Sequence, residues 1–530
     1  MNRMWLLAGI AVGVLAGATS GGVINVGPGG SIQAAVDAAQ NSDEIVVAPG
    51  TYSEAINFLG KAIWLRSSDG AEVTTIDGTG FLHVVQCVSS EGPDTVLEGF
   101  TITGGNANGL GGPDSRGGGM HNQDSSPTVI NCTFTGNSAS QGGGMYSRDS
   151  DVTVINCTFS ANTAVSGGGG GMHNDSLSPT VIGCSFIANT ASSGGGMQNE
   201  SGSPTVIDCT FSGNSATGVG GGMQNQGSSP TVTNCTFSAN TAELSGGGMI
   251  NDGPSSPTIG NCIFEGNTSG GGGGAIRFVT GDDTTILGCT FTGNSADFGG
   301  AVFNSGDLLV ANCSFTDNVA VIGGAVFNNE GLKFPQIVNC TMTGNVAAAG
   351  GAVANDDFTV LTIRNSIVQG NTPNAVAGTG LSATIIQYSN FATTPPGPGN
   401  ISDSCFADQQ NGDFSLAPGS PCIDAGHNWA IAGISDTDLD ANPRFAADKN
   451  DFDPGCGIPV VVDMGAYEYQ GDPFPVQLGD INGDGVVGIN DFLDLLADWG
   501  KCSEICCLAD LDLDENVGIN DFLILLGNWG

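Results

Sequence analysis

The chain has 530 residues, 87 of them Gly, and carries 11 Lys and Arg against 52 Asp and Glu. A formal net charge of −41 argues against nucleic acid and anionic membrane surfaces as partners, and against polyuronates unless calcium bridges the two. Val, Ile and Phe recur in register through the Gly-rich part, which excludes disorder and fits a tightly turned β solenoid.

Residues 1–20 predict a signal peptide. Arg3 supplies its charge, Met4 to Ala16 its apolar run, and Ala16-Gly17-Ala18 its small-residue cleavage site. The run is short for a membrane anchor, and no later segment is apolar enough to cross a bilayer. In residues 21–116, Ser31 to Gln40 predicts a helix, with Ser31 as N-cap and Ile32, Ala35, Val36 and Ala39 on one stripe. Short strands between Gly and Asp turns follow it. A helix suits this place, because an open solenoid end exposes strand edges and apolar side chains.

From Gly117 to Asn371 one phrase recurs ten times: a Gly run, Met or Val, a polar turn, then V-I-N-C-T-F-x-x-N. Cys132, Cys157, Cys184, Cys209, Cys235, Cys262, Cys289, Cys313 and Cys340 recur at 24 to 27 residues, and Ser366 takes the tenth place. A fixed period of that size means stacked units, none of which buries its own apolar face. Cys and the Phe two residues on share one strand face; the Val three residues back joins them only if the chain bends. Asn131, Asn156, Asn234, Asn261, Asn312, Asn339 and Asn365 suit that corner, since Asn tolerates left-handed backbone angles. The Asn five past each repeat position, from Asn137 to Asn371, marks a second corner. Short strands bent at Asn corners predict an all-β, parallel β-helix. In register, neighbouring Cys residues stand about 4.8 Å apart with parallel side chains, which suits a buried ladder of small hydrophobes better than disulfides.

Beyond Asn371 the pattern loosens. Ile385 to Phe391 predicts one more winding, and residues 372–470 as a whole the last turns and a closing cap, with Cys405, Cys422 and Cys456 available for one disulfide. Asp424, Asp438, Asp440 and Asp463 read as turn-capping carboxylates, with cation binding as the alternative. Residues 471–478 are a linker, and 479–530 hold a duplicated acidic loop and helix. Asp480, Asn482, Asp484, the Val486 carbonyl and Asp491 occupy places 1, 3, 5, 7 and 12 of a calcium loop, with Gly485 at the sharp turn. Asp510, Asp512, Asp514, the Asn516 carbonyl and Asp521 repeat it, with Glu515 where Gly is expected. Calcium is the expected cofactor. Cys502, Cys506 and Cys507 offer one further disulfide.

Catalytic signals are sparse, and no catalytic residue is assigned. The basic candidates are Arg116, Arg148, Arg277, Lys333 and Arg364, and the paired carboxylates are Asp282 with Asp283 and Asp356 with Asp357. All of these also read as solvated turns. His121 and His173 share the GGGMHN place, which predicts a stacked surface position.

GGGM and GGAV alternating with FTGN, FSAN and FSGN resemble the repeats of the chlamydial polymorphic outer-membrane proteins, and more broadly the right-handed, pectin-lyase-like β-helices. SIQAAVDAAQ and its strands resemble the capped start of the latter, and the segment from Asn400 resembles the close of secreted bacterial β-helix proteins. No terminal stretch shows the strand series of an autotransporter barrel. The two loop–helix units, with GINDFL in both, resemble a type I dockerin. These resemblances imply a right-handed parallel β-helix with an N-terminal capping helix, followed by a small α-helical calcium-loop domain that docks on a cohesin-like or cell-envelope partner. With so few basic and paired acidic groups, the expected role is an exported, non-catalytic surface protein for adhesion or carbohydrate binding, tethered through the calcium-dependent tail. The alternative is a polysaccharide lyase or glycoside hydrolase delivered to a multi-enzyme assembly.

Overall fold

The computed structural model describes residues 21–529 except for 109–111, 280–283, 330, 410–412, 432–433, 445–460, 471–480, 482–486, 498, 502–508, 510 and 512–515. The predicted signal peptide and linker lie outside the described residues.

Four parallel sheets, here A to D, of fifteen, fourteen, thirteen and nine strands wrap one core. One winding shows the path. Met120–Gln123 lies in sheet C, Thr128–Ile130 in A, Thr133–Thr135 in B and Ser138–Ala139 in D; Met145–Arg148 then returns to sheet C. Successive windings stack in register, Met120 on Met145, Val129 on Val154 and Phe134 on Phe159. The all-β parallel solenoid expected from the period is therefore present, with each repeat forming one winding.

The inward columns explain the recurring residues. Phe134, Phe159, Phe186, Phe211, Phe237, Phe264, Phe291 and Phe315 stack with ring centroids 4.6–5.0 Å apart and planes within 3–6°. That separation is the strand spacing itself, inside the range where aromatic pairs attract. The ladder cysteines are free and buried. Burial pushes the Cys157 and Cys313 thiols up, which keeps them protonated and unreactive.

Corners use left-handed residues. Between sheets A and B this is the predicted Asn, with φ of 52° at Asn131, Asn156, Asn261 and Asn312. The second Asn differs from expectation. The left-handed residue there is the one before it (Gly136 φ 64°, Ala161 52°, Gly213 61°), and the Asn itself turns inward. Asn214 Nδ2 donates to the Phe186 carbonyl at 2.9 Å and to Asn240 Oδ1 at 3.0 Å. Its Oδ1 accepts from the Asn189 backbone N–H and from Asn189 Nδ2, both at 3.0 Å. A corner needs only αL tolerance, which Gly or Ala supplies here; the Asn is selected for its amide. In the Gly runs, Gly142 adopts φ 62°, and a Cβ on Gly143 would stand 2.5 Å from the Thr163 carbonyl oxygen. The first Gly makes the D–C corner and the next admits the following winding.

Both ends are closed. Helix α1, Ile32–Ala38, is capped by Ser31 Oγ accepting from the Ala34 N–H at 3.1 Å, and buries Ile32, Ala35, Val36 and Ala39 over the first winding. At the far end Asn312, Asn339 and Asn365 donate to the carbonyls of Thr437, Asp463 and His427 at 2.9, 3.1 and 3.0 Å, fastening the closing segment across the A–B corner. Cys405 and Cys422 form the disulfide; Cys456 lies outside the described residues. Asp438 accepts from the N–H groups of Asp440, Asn442 and Glu468, and Asp463 from those of Asp424 and Tyr469. Both are turn-capping carboxylates, as expected.

In the C-terminal part α2 is Asn428–Ile431, α3 is Ile489–Ala497 and α4 is Ile519–Gly527. Val487, Leu495, Ala509, Val517 and Leu525 form a separate small core, with the Phe492 and Phe522 rings 5.3 Å apart. Among the described residues no helix is long and apolar enough to cross a membrane.

Candidate functional site

Along each sheet C strand the residues alternate. Met120 and Asn122 point into the core, His121 and Gln123 out of it. Two outward columns result. One carries His121, Tyr146, His173, Gln198 and Gln224, with the His83 ring at its head, 4.9 Å from that of His121. The other carries Gln123, Arg148, Asp175, Glu200, Gln226 and Asp252.

The first column corrects an expectation. His121 and His173 do point outward, but the D–C corner folds over them and buries them, to 5% and 1% exposure. His121 Nδ1 stands 3.1 Å from the Arg116 carbonyl and His173 Nδ1 3.2 Å from that of Gly168. A carbonyl only accepts, so Nδ1 carries the hydrogen and Nε2 is left as an acceptor. Burial, the largest cause, lowers both imidazoles to about 4; for His121 the neighbouring His83 adds to it. Both rings are neutral at pH 7.

The second column is half-exposed and charged. The Arg116 guanidinium lies 4.9 Å over the Tyr146 ring and donates to its hydroxyl at 2.7 Å. That hydroxyl donates to Asp175 Oδ2 at 2.9 Å, and Arg148 Nε stands 3.8 Å from the same oxygen. Gln198 Nε2 donates to Glu200 Oε1 at 2.6 Å, with His173 Nε2 3.7 Å away. Partial burial, then the nearby Asp175 charge, raises the Glu200 carboxyl above its usual range. Asp175 and Glu200 are register partners on adjoining strands. The outcome is two arginines, two carboxylates, a tyrosine and an amide on four consecutive windings.

Of the sequence candidates, Arg148 lies 3.4 Å from Asp149 and 3.8 Å from Asp175, and Arg116 is linked to Asp175 only through the Tyr146 hydroxyl. Arg277 instead lies 4.7 Å over the Phe303 ring and bonds Ser245. Asp356 accepts from Thr379 Oγ1 at 2.7 Å and Asp357 from the Leu381 N–H at 3.0 Å, and neither forms an ion pair among the described residues. Lys333 pairs through its backbone with Thr359, away from sheet C's charged strip. Asp282 and Asp283 lie outside the described residues. Asp175 and Glu200 escaped the sequence reading; the signal was the fourth place of MHND and MQNE, where charge replaces the repeat's Gln.

In the tail, Asp480, Asn482, Asp484, Val486, Asp510, Asp512 and Asp514 lie outside the described residues. Asp491 and Asp521, the last expected ligand place of each loop, are buried at the starts of α3 and α4. Each accepts from a Gly N–H, that of Gly488 or Gly518, at 2.7 Å. Asn516 lies in the two-residue strand Asn516–Val517, paired with Gly500–Lys501. Two buried carboxylates at equivalent places fit the oxygen-donor set a hard cation takes.

Among solved structures the chain is similar to pectate lyase Pel9A, with 13% identity and a TM-score of 0.34, covering 85% of this chain and 97% of that one. It is also similar to the Siphovirus 9NA tailspike receptor binding domain, with 11% identity and a TM-score of 0.25, covering 78% and 80%. No curated protein matches. The family model for the right handed beta helix region matches residues 61–240, 117–274 and 223–391, together more than half of the chain. With the stacked parallel windings, those matches place the chain in the right-handed β-helix family.

Proposed function

We propose that the chain is an exported, non-catalytic surface protein that binds carbohydrate along the outer face of sheet C. The observation that supports this most is the in-register row Arg148, Asp175, Glu200 and Gln226, braced by buried rings and amides. Guanidinium, carboxylate and amide groups at strand spacing supply the donors and acceptors that successive sugar hydroxyls need. Calorimetric titration with neutral oligosaccharides is expected to find a binder whose affinity falls at least tenfold in D175N/E200Q. Equal binding by the wild type and the double variant would remove the strip from this reading.

One observation favours a second reading, glycoside hydrolysis. Glu200 is raised, with Asp175 beside it, and a raised carboxyl next to a second one is what the general acid of a glycosidase needs. New reducing ends released by the wild type and lost in E200Q would replace binding with catalysis.

The tail is proposed to bind calcium through Asp480, Asn482, Asp484, Val486 and Asp491, and through Asp510, Asp512, Asp514, Asn516 and Asp521. Its duplicated faces, Ile489, Leu493, Leu496, Trp499 and Ile519, Leu523, Leu526, Trp529, are exposed at i, i+4, i+7 and i+10. They would dock on a cohesin-like or cell-envelope partner. Asp480→Ala with Asp484→Ala in the full chain is expected to reduce high-affinity calcium uptake, read by calorimetry, to the second loop alone or to none. Undiminished uptake would reject the loop assignment.

A further inference from the structure

A second, independent cleft opens at the far end of the solenoid, where the last two windings meet the closing segment. Arg364 ends the sheet A strand Val360–Arg364, and its register partner Gln387 ends Ala383–Gln387. Arg364 Nε donates to Gln387 Oε1 at 2.9 Å, which fixes the plane of the guanidinium. The next residue, Tyr388, takes the corner that Asn365 holds one winding earlier, with φ of 48° against 49°. Where three preceding corners carry Asn and grip the closing segment, the last carries an aromatic ring. That ring lies 4.7 Å from the ring of His427.

Trp429 stands beside them on α2, 76% exposed. The space enclosed is about 240 Å³, with Pro398 on its wall. It is large enough for one six-membered ring.

Two features define the ligand. An indole left open to water beside a cavity offers a flat apolar face, and stacking another ring on it is worth about 0.5–1.5 kcal/mol beyond burial. The charge is also unusual for this protein. In a chain of net charge −41, no carboxylate lines the cleft among the described residues, and no described carboxylate stands within ion-pair distance of Arg364. Burial, helped by Arg364, lowers the His427 imidazole, so at neutral pH it is a neutral hydrogen-bonding group beside a single fixed cation.

We propose that this cleft binds one acidic sugar ring, its face on Trp429 and its carboxylate on Arg364. Gln387 and His427 would take hydroxyls at the ring edge. A bidentate guanidinium–carboxylate contact is the geometry that Arg supplies and a hydrated Lys does not. The chain's net charge of −41 disfavours a polyanion. The ligand is therefore a glycan carrying an isolated or terminal acidic ring, not a run of them.

The test is a titration of the full chain with methyl β-glucuronide and, in parallel, methyl β-glucoside, followed by saturation-transfer NMR and tryptophan emission. Wild type is expected to bind the glucuronide at least tenfold more tightly than the glucoside. R364Q and R364K should each erase that preference, and W429A should weaken both ligands. Trp429 is solvent-facing, so W429A tests the ring contact without disturbing the core. Equal wild-type affinity for the two glycosides, no detectable binding, or an undiminished preference in R364Q would overturn the proposal. Binding of long neutral oligosaccharides by R364Q reports on the sheet C strip alone, so failure of one site is seen separately from failure of the other.

Discussion

Asn214→Ala is expected to destabilise the solenoid by roughly 3 kcal/mol, although it removes only one short side chain. The amide sits in a fully buried column and makes four hydrogen bonds to the two neighbouring windings. Alanine leaves the Asn189 backbone N–H without its acceptor and costs the Phe186 carbonyl and the Asn240 amide their bonds to the side chain. An orphaned buried donor alone costs about 1–3 kcal/mol, and each lost bond adds to it. The corner Asn gives the internal control. Asn234 adopts φ of 57°, is exposed, and its side chain donates to Asp208 at 3.1 Å. Asn234→Ala should cost about 1 kcal/mol, the strain of a left-handed non-Gly residue. Urea unfolding followed by far-UV circular dichroism would rank the two variants. Because a solenoid is nearly one-dimensional, hydrogen exchange should also show opening confined to the windings flanking Asn214. Equal midpoints for the two variants would mean that the inward column is not the stabilising one.

The two Asn columns also show what the sequence makes visible. Interior places repeat because like residues must face like residues at strand spacing, so Val, Cys, Phe and the inward Asn announce the axial period directly. Outward places obey no such constraint. Gln123, Arg148, Asp175, Glu200, Gln226 and Asp252 occupy one column with no two neighbours alike. A reading built on likeness between repeats averages such a column away, and with it the charged strip. Sheet D was hidden for a related reason. Many of its strands are two residues long, too short for a period-2 pattern. Without sheet D nothing in the repeat says that the outward His121 and His173 are roofed over. The Trp429 cleft was illegible because its parts come from two windings and from α2, outside the repeats altogether. The proposed calcium loops are the opposite case: such a loop is defined by local spacing alone, so the sequence suffices to propose its ligand places residue by residue.

The roofed histidines carry the second large effect. Acidification from pH 7 to pH 4 is expected to destabilise the wild-type solenoid through His121 and His173, each by roughly 3 kcal/mol at the lower end. The sign follows from where each form lives. Unfolded imidazole titrates near 6.5, whereas in the fold both are lowered to about 4. Above pH 6.5 neither state binds the proton. Between 6.5 and 4 only the unfolded chain does, so stability drains away across that window and levels off below it. The groups facing the column are His83, Asp114, Arg116, Asp175 and Glu200. Glu200 acts in the opposite sense, because a raised carboxyl binds its proton more readily folded than unfolded and so favours the fold as pH falls towards its usual range. Glu468, raised well above the usual range by burial, does the same elsewhere. The net slope of the wild type is therefore blunted, and the contrast with a variant is the sharper measurement. The protein supplies the variant itself: one winding further on, the place of His173 is filled by Gln198, and then by Gln224. H121Q/H173Q keeps a planar, hydrogen-bonding side chain and removes both titrations. Thermal midpoints of the two proteins should agree within a few degrees at pH 7.5 and separate steadily between pH 6.5 and 4, with the variant higher. Parallel profiles across that range would show that the imidazoles are not held neutral, and that the corner of sheets D and C does not seal them.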